Sequence, residues 1–245
     1  MDTTDKIPVI LLGPGGSSAF RVFNPNEWSG RSKQVVHSCA AELSCLHFGQ
    51  MLIEKICRYP AGRCRPHLDT LLNSKGTESS LTRCTFFGQD LELHLAIEGF
   101  FASIKTTLDL LVQLIQAEDV VRVHVEGFNK ARGDPGGRVL SILGSNAVAG
   151  KEPTCRRIAE LICDHKRRWI DRAIQVRDEF VHPPQGAQDL MFELHFASRE
   201  GQIVLQDAAA PRIDGESIVV YSQDRLADLA KFSVDFLALL RAPKA

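Results

Sequence analysis

Between Cys155 and the paired prolines Pro183 and Pro184 the chain reads CRRIAELICDHKRRWIDRAIQVRDEFVHPP, a long amphipathic helical pattern closed by residues that no helix interior accommodates. Ile158, Leu161, Ile162, Trp169, Ile170, Ile174 and Phe180 supply its apolar stripe. The opposite face carries Arg156, Arg157, Lys166, Arg167, Arg168, Arg172 and Arg177, offset by Glu160, Asp164, Asp171, Asp178 and Glu179. Mixed signs of this kind suit a solvated face better than a ligand platform. Thr154, after Pro153, is placed to cap the start.

Two earlier stretches keep the same period. From Ser32 to Tyr59 the apolar positions are Val35, Cys39, Leu43, Leu46, Phe48, Leu52 and Ile56. A second helix begins near Leu81 or Gln89 and runs to about Ala117, with Leu93, Ile97, Phe100, Phe101, Ile104, Leu108, Leu111 and Ile115 as a stripe wide enough to bury against several partners. Gly99 costs about 1 kcal/mol of helix preference relative to alanine and would let another backbone approach. Glu98 and Asp109, the carboxylates near this stripe, read as solvated or bonded to N–H groups.

The intervening segments are connections. Pro60 to Ser80 is rich in turn residues, with room for a short helix near His67 to Leu72. Between Glu118 and Gly150, VVRVHVEGF suggests a short strand, ARGDPGG a turn, and SILGSNAVAG a short helix or loop. After the prolines, Leu190 to Phe196, Gln202 to Gln206 and Glu216 to Ser222 read as three strands, and Gln223 to Leu240 returns to helical periodicity with Asp224 in its first turn. At the other end, Ile7 to Leu12 reads as a strand before GPGG, which lacks the GxxxxGKS/T and full GxGxxG patterns of phosphate-binding loops.

The expected fold is therefore mainly α, a helical bundle with a small antiparallel β extension and a C-terminal helix. The expected division is an N-terminal strand and loop segment over 1–31, the bundle over 32–182, and the sheet with its helix packed on the bundle over 183–245. A 44% hydrophobic content with 24% charged residues fits an ordinary globular chain rather than a disordered one. The formal charge of -1 gives no global basic field, so any polyanion site must be focal. No run approaches the roughly 18 apolar residues a membrane helix needs, and the acidic opening MDTTDK does not read as a signal peptide.

Seven cysteines form an odd set without a CxxC pair, which points to reduced thiols and a cytoplasmic protein. His37, Cys39, Cys45 and His47 match no recognised zinc spacing, and His37 and Cys45 fall on different faces of a helix. Neither a metal nor a cofactor is expected.

Chemistry concentrates at the end of the third helix. Arg177 and His182 stand about 140° apart on an ideal helix, but Pro183 biases His182 away from helical dihedrals and lets it turn back across the last turn. An arginine holds phosphate with forked donors, and a near-neutral histidine moves protons. Together they could cleave RNA without metal, His182 exchanging protons with the ribose 2'-hydroxyl or the leaving oxygen while Arg177 stabilises the developing charge. One pair is a thin site, and a symmetric dimer would bring two histidines and two arginines to one groove. The structural alternative pairs Arg177 with Asp178, Glu179 or a distant acid and lets His182 satisfy carbonyls at the helix end.

The segment RDEFVH, Arg177 to His182, at the end of a long helix resembles the arginine, polar residue, variable residues and histidine motif of the HEPN superfamily. WIDRAIQV before it and FFASIKTTLDLLVQLI on the earlier helix strengthen the likeness, which covers residues 32–182. The resemblance implies an up-and-down bundle of HEPN type and a homodimer acting on RNA as a metal-independent endoribonuclease. Arg177 and His182 would carry phosphate binding and acid–base catalysis, with Asp178 in the polar position that tunes the pair. Other members of the superfamily are noncatalytic binding or assembly modules, and that alternative stands beside the first.

Overall fold

Apolar residues at helical spacing bring two long helices together along their length. The computed structural model describes residues 23, 27–58, 60–63, 83–88, 90–131, 133–145, 152–181, 190–199 and 202–241. Helix α1 (Gly30–Cys57) is followed by a short α2 (Pro60–Arg63), strand β1 (Arg83–Gly88) and helix α3 (Leu91–Ala117). The Leu43, Leu46, Ile53 and Ile56 side chains of α1 and the Ile97, Phe100, Ile104 and Leu108 side chains of α3 are almost wholly removed from water, and α1 packs against α3 more extensively than any other pair of helices among the described residues. The two helices come close at Gly49, where a Cβ would stand in ordinary contact, 3.4 Å from Phe100 Cβ and 3.7 Å from the Ala96 carbonyl oxygen. Gly99, the position the sequence suggests for this role, is exposed and meets nothing there.

The start of α3 lies at Leu91, later than a start near Leu81 and close to the Gln89 alternative. Asp90 fixes it, its carboxylate accepting the Leu93 N–H at 2.9 Å. Arg63 of α2 reaches the same place, bonding Asp90 at 3.2 Å and also Glu92. At the far end Asp119 adopts a left-handed φ of 53° and the Val120 N–H returns to the Ile115 carbonyl at 2.9 Å.

The segment VVRVHVEGF is not a strand. Val121, Val125 and Phe128 are buried, but side chains of α3 hold the backbone: Gln113 donates to the Glu126 carbonyl at 3.1 Å, and Asp109 accepts the Phe128 N–H at 2.6 Å. Helix α4 (Gly137–Gly144) follows after Gly136.

Helix α5 (Glu152–His165), a π-helical turn (Lys166–Ile170) and helix α6 (Asp171–Val181) run on without a break. Within the turn the Asp171 N–H donates to the Lys166 carbonyl, five residues back instead of four. Trp169 is buried there, its indole N–H donating to His165 Nδ1 at 2.9 Å. Lys166 is also buried, its ammonium held by Asp134 at 2.8 Å, Asp171 at 2.7 Å and the Pro135 carbonyl.

Strands β2 (Phe192–Arg199) and β3 (Gln202–Ala209) form an antiparallel sheet with β1, in the order β1-β2-β3. Phe192, Leu194 and Phe196 of the central strand are buried, in the alternation a one-sided sheet requires. A register shift opposite His195 and Phe196 leaves Gln206 of β3 without a partner on β2, and Ala197 is buried as well. The third strand thus comes from Arg83–Gly88, where the sequence suggested none. Glu216 to Ser222 contributes only β5 (Glu216–Ser217), paired with β4 (Arg212–Ile213), before helix α7 (Ile218–Arg241) begins.

Helix α7 packs against α1, α3 and α5 and so joins the bundle. Its Phe232 sits 5.1 Å from the His165 ring and 6.5 Å from the Trp169 ring. The result is a mainly helical bundle with a small antiparallel sheet. The expected strand over Ile7 to Leu12, the GPGG loop and the helix near His67 to Leu72 lie outside the described residues.

Candidate functional site

Arg177 and Asp178 lie on the last turns of α6, which ends at Val181. His182, next in the chain, lies outside the described residues. Arg177 donates through Nη1 to Asp178 Oδ1 at 2.9 Å, the local pairing named above as the structural alternative. Its Nε–H is buried and has no hydrogen-bond partner among the described residues.

Asp178 holds a second cation. Lys130, from the loop between α3 and α4, donates to Asp178 Oδ2 at 2.5 Å. Partial burial alone would push the Asp178 carboxyl up, but the bonds from Lys130 and Arg177 outweigh it and hold the group below the ordinary carboxylate range. The loop is seated by its glycines as well as by Lys166. A Cβ on Gly127 would meet Asp109 Oδ1 at 2.7 Å, and one on Gly136, whose φ is 69°, would meet the Phe128 ring at 2.4 Å.

These groups line a cleft of about 530 Å³ between α3, the loop and α6, walled by Ala102, Lys105, Thr106, Asp109, Asn129, Lys130, Ile174, Arg177 and Asp178 among others. Lys105 pairs with Asp109 one turn along α3, at 2.5 and 2.7 Å to the two oxygens. Among the described residues of the cleft, three cations, Lys105, Lys130 and Arg177, therefore face two carboxylates, Asp109 and Asp178, an excess of positive charge in a chain that is nearly neutral. A second cleft, also about 530 Å³, adjoins the first and shares Lys130, Ile174 and Asp178 with it.

No protein-family model, no curated protein and no solved structure matches this chain.

Elsewhere the basic face of the long helix is neutralised locally. Arg156 bonds Glu160 at 3.0 Å and Arg168 bonds Asp164 at 2.9 Å. Arg172 grips Asp214 of the β4–β5 turn with two bonds, at 2.6 and 2.8 Å, and reaches Glu179 at 3.3 Å. The Arg172 hydrogen bond holds the Asp214 carboxyl below its ordinary range.

Among the described residues no three His, Cys, Asp or Glu side chains are placed to hold a metal ion, and no helix is long and apolar enough to cross a membrane. Cys39 is buried, and burial first, then Glu42, pushes its thiol up to about 12. Cys45 is exposed.

Sequence reading finds Arg177 and Asp178 but not Lys105 or Lys130. Lys105 carried a usable signal, the i,i+4 spacing to Asp109. Lys130 carried none, because a lysine in a turn-rich loop acquires its position only when the loop folds back on α6.

Proposed function

We propose that this chain is a HEPN-like RNA-cleaving or RNA-processing protein acting as a homodimer, with Arg177 binding phosphate and His182 moving protons. Arg177 carries the reading: it stands at the end of a long helix, lines a cleft with two lysines, and keeps a buried Nε–H without a partner among the described residues. A phosphodiester in this cleft would accept that N–H and draw Arg177 and Lys130 away from Asp178. The guanidinium fork suits two phosphate oxygens, whereas each lysine contributes a point charge.

The reaction is transfer of the phosphorus from the 5'-oxygen to the neighbouring 2'-oxygen. The P–O2' bond forms as the P–O5' bond breaks, leaving a 2',3'-cyclic phosphate and a free 5'-hydroxyl. One group accepts the 2' proton and another donates a proton to the leaving oxygen. His182 suits either role, and two-fold pairing of helix ends would supply a second histidine for the other. Lys105 and Lys130 would offset the charge that builds on the non-bridging oxygens. Asp178 tunes the site by orienting Arg177 and Lys130 in the free protein. A reducing compartment such as the cytoplasm fits the five described cysteines, all of them free thiols.

The test is incubation of the full chain with mixed RNA in the presence of chelator, beside Arg177→Ala and His182→Ala. Cleavage by the parent protein and loss in both variants is the expected result. No cleavage by folded parent protein, or undiminished cleavage by both variants, ends the catalytic reading.

A second reading is a noncatalytic binding or assembly protein that keeps the fold and the motif. The Arg177–Asp178 pair favours it, because Asp178 already satisfies one face of the guanidinium. It predicts a stable dimer or partner complex that His182→Ala leaves intact.

A further inference from the structure

Gly99 weakens the intrinsic helix preference of α3, yet nothing inside the protomer uses the space it leaves: a Cβ there would meet no atom within 4 Å. Its surroundings follow from the register of α1 and α3. Gly49 of α1 touches Ala96 and Phe100 of α3, while Arg63, just past the end of α1, bonds Asp90 at the start of α3. The two helices therefore run antiparallel, and Phe48 stands level with Gly99 and Leu52 with Leu95. Phe48 and Leu95 each precede a contact residue, Gly49 and Ala96, and so turn away from it by the same angle of about 100°. In an antiparallel pair equal turns reach the same side. Helix α7 covers the other side. On this one Phe48, Leu95 and Gly99 are exposed, and about three helical turns of each helix, from Ala41 to Leu52 and from Leu95 to Thr106, pass along it without a charged side chain.

Phe48, Met51, Leu91 and Leu95, on this face and at its edges, are between 51% and 73% exposed, about 500 Å² of apolar surface at roughly 200 Å² for each fully exposed side chain. That reaches the upper range of the largest patch a monomer normally shows, and it supplies more than half of the roughly 800 Å² that each partner brings to a standard interface. The face is also self-complementary. A protruding Phe48 stands beside the open space over Gly99, so a two-fold axis between them would seat the Phe48 of each copy over the Gly99 of the other. We propose that a second copy of this chain docks on the α1–α3 face, with Phe48 as the anchor and Gly99 as its socket. An uncharged centre suits such an interface, and Lys55 and Glu92 stand at its rim. Farther along the same side of α3, Ala102 and Thr106 wall the first cleft, so the partner borders the cleft that holds Arg177. The inference rests on the homodimer of the proposed function and assigns its surface, without depending on the RNA chemistry.

The experiment is sedimentation of the full chain without RNA, beside Phe48→Glu, Gly99→Glu and, as a control on α7, Val220→Glu, each checked by circular dichroism. The parent protein and Val220→Glu should be dimers, and either face variant should raise the dimer dissociation constant at least about 30-fold, the loss expected for an interface anchor. Cys45, exposed on this face in the protomer, should react with a maleimide several-fold more slowly in the parent dimer than in Phe48→Glu, whereas Cys163 on α5 reacts alike in both. A parent protein that stays monomeric at tens of micromolar overturns both the surface and the homodimer, and slow labelling of Cys45 in that monomer would mean that another part of the chain covers the face. A dimer that survives both face substitutions overturns the surface and leaves the homodimer standing. A dimer broken by them while RNA cleavage continues supports the surface and ends the mechanism that shares two histidines.

Discussion

Lys130 and Asp178 stand 48 positions apart in the chain and meet at 2.5 Å, so that one carboxylate holds both the loop lysine and Arg177. Asp178 therefore occupies the place that an incoming anion would take. Replacing it by asparagine keeps the shape and removes the competing charge. Asp178→Asn should strengthen phosphate or pyrophosphate binding several-fold at low salt, with the gain shrinking as salt rises. Calorimetric titration at two ionic strengths measures it, and weaker binding by the variant would show that Asp178 assists the anion.

Lys166 allows a prediction with two unequal arms. Removing the ammonium in Lys166→Met leaves Asp134 and Asp171, whose side chains are 54% and 45% exposed and can rehydrate. The loss should stay below the roughly 3–5 kcal/mol of a buried charge stripped of its partner. The double change Asp134→Asn with Asp171→Asn leaves the ammonium, 8% exposed, without a counter-charge and should approach that range. Urea unfolding of both variants gives the comparison.

Gly136 combines a left-handed backbone with a contact that no side chain can enter. Gly136→Ala should cost about 1–3 kcal/mol from the backbone alone, and more as the Phe128 ring is forced aside. Since Phe128 borders the first cleft, anion affinity should fall with stability. Chemical denaturation and a phosphate titration on the same sample measure both.

Burial lowers the pKa of His165, with Asp164 opposing it, and Nδ1 already accepts the Trp169 N–H. The folded state therefore disfavours the proton that the unfolded chain takes up near its ordinary pKa of about 6.5. This contribution to stability is complete above about pH 6.5 and declines as pH falls toward the lower folded value. Thermal melting across pH 7.5 to 5 should show the decline. His165→Phe should flatten it without removing it, because burial also lowers the pKa of His47.

The long helices were legible because each carries an apolar stripe over many turns, and a misread boundary at Leu91 leaves such a stripe intact. Short elements were not. The β-branched run Ile218, Val219 and Val220 suggests a strand, yet Ile218, Tyr221, Ser222, Leu229 and Phe232 are buried on one helix, whose packing overrides local preference. Arg83–Gly88 went unread because a six-residue strand at the edge of a turn-rich connection carries little periodic signal. At the site, Arg177 and Asp178 were visible as part of a local motif. The pairing of Asp178 with Lys130 depends on how a glycine-rich loop folds back, which neighbouring residues in sequence do not record.

The π-helical turn at Lys166–Ile170 sets the angular phase of everything after it. An α-helix advances about 100° per residue, so the extra residue taken up in the wide turn lets α5 face α4 and α7 while α6 faces α3 on a different azimuth. Deleting a single residue from the turn would act like a slipped gear. Helix α6 would rotate by about 100° and carry Arg177 and Asp178 away from Lys105 and Lys130, although every residue lining the cleft remained in the chain.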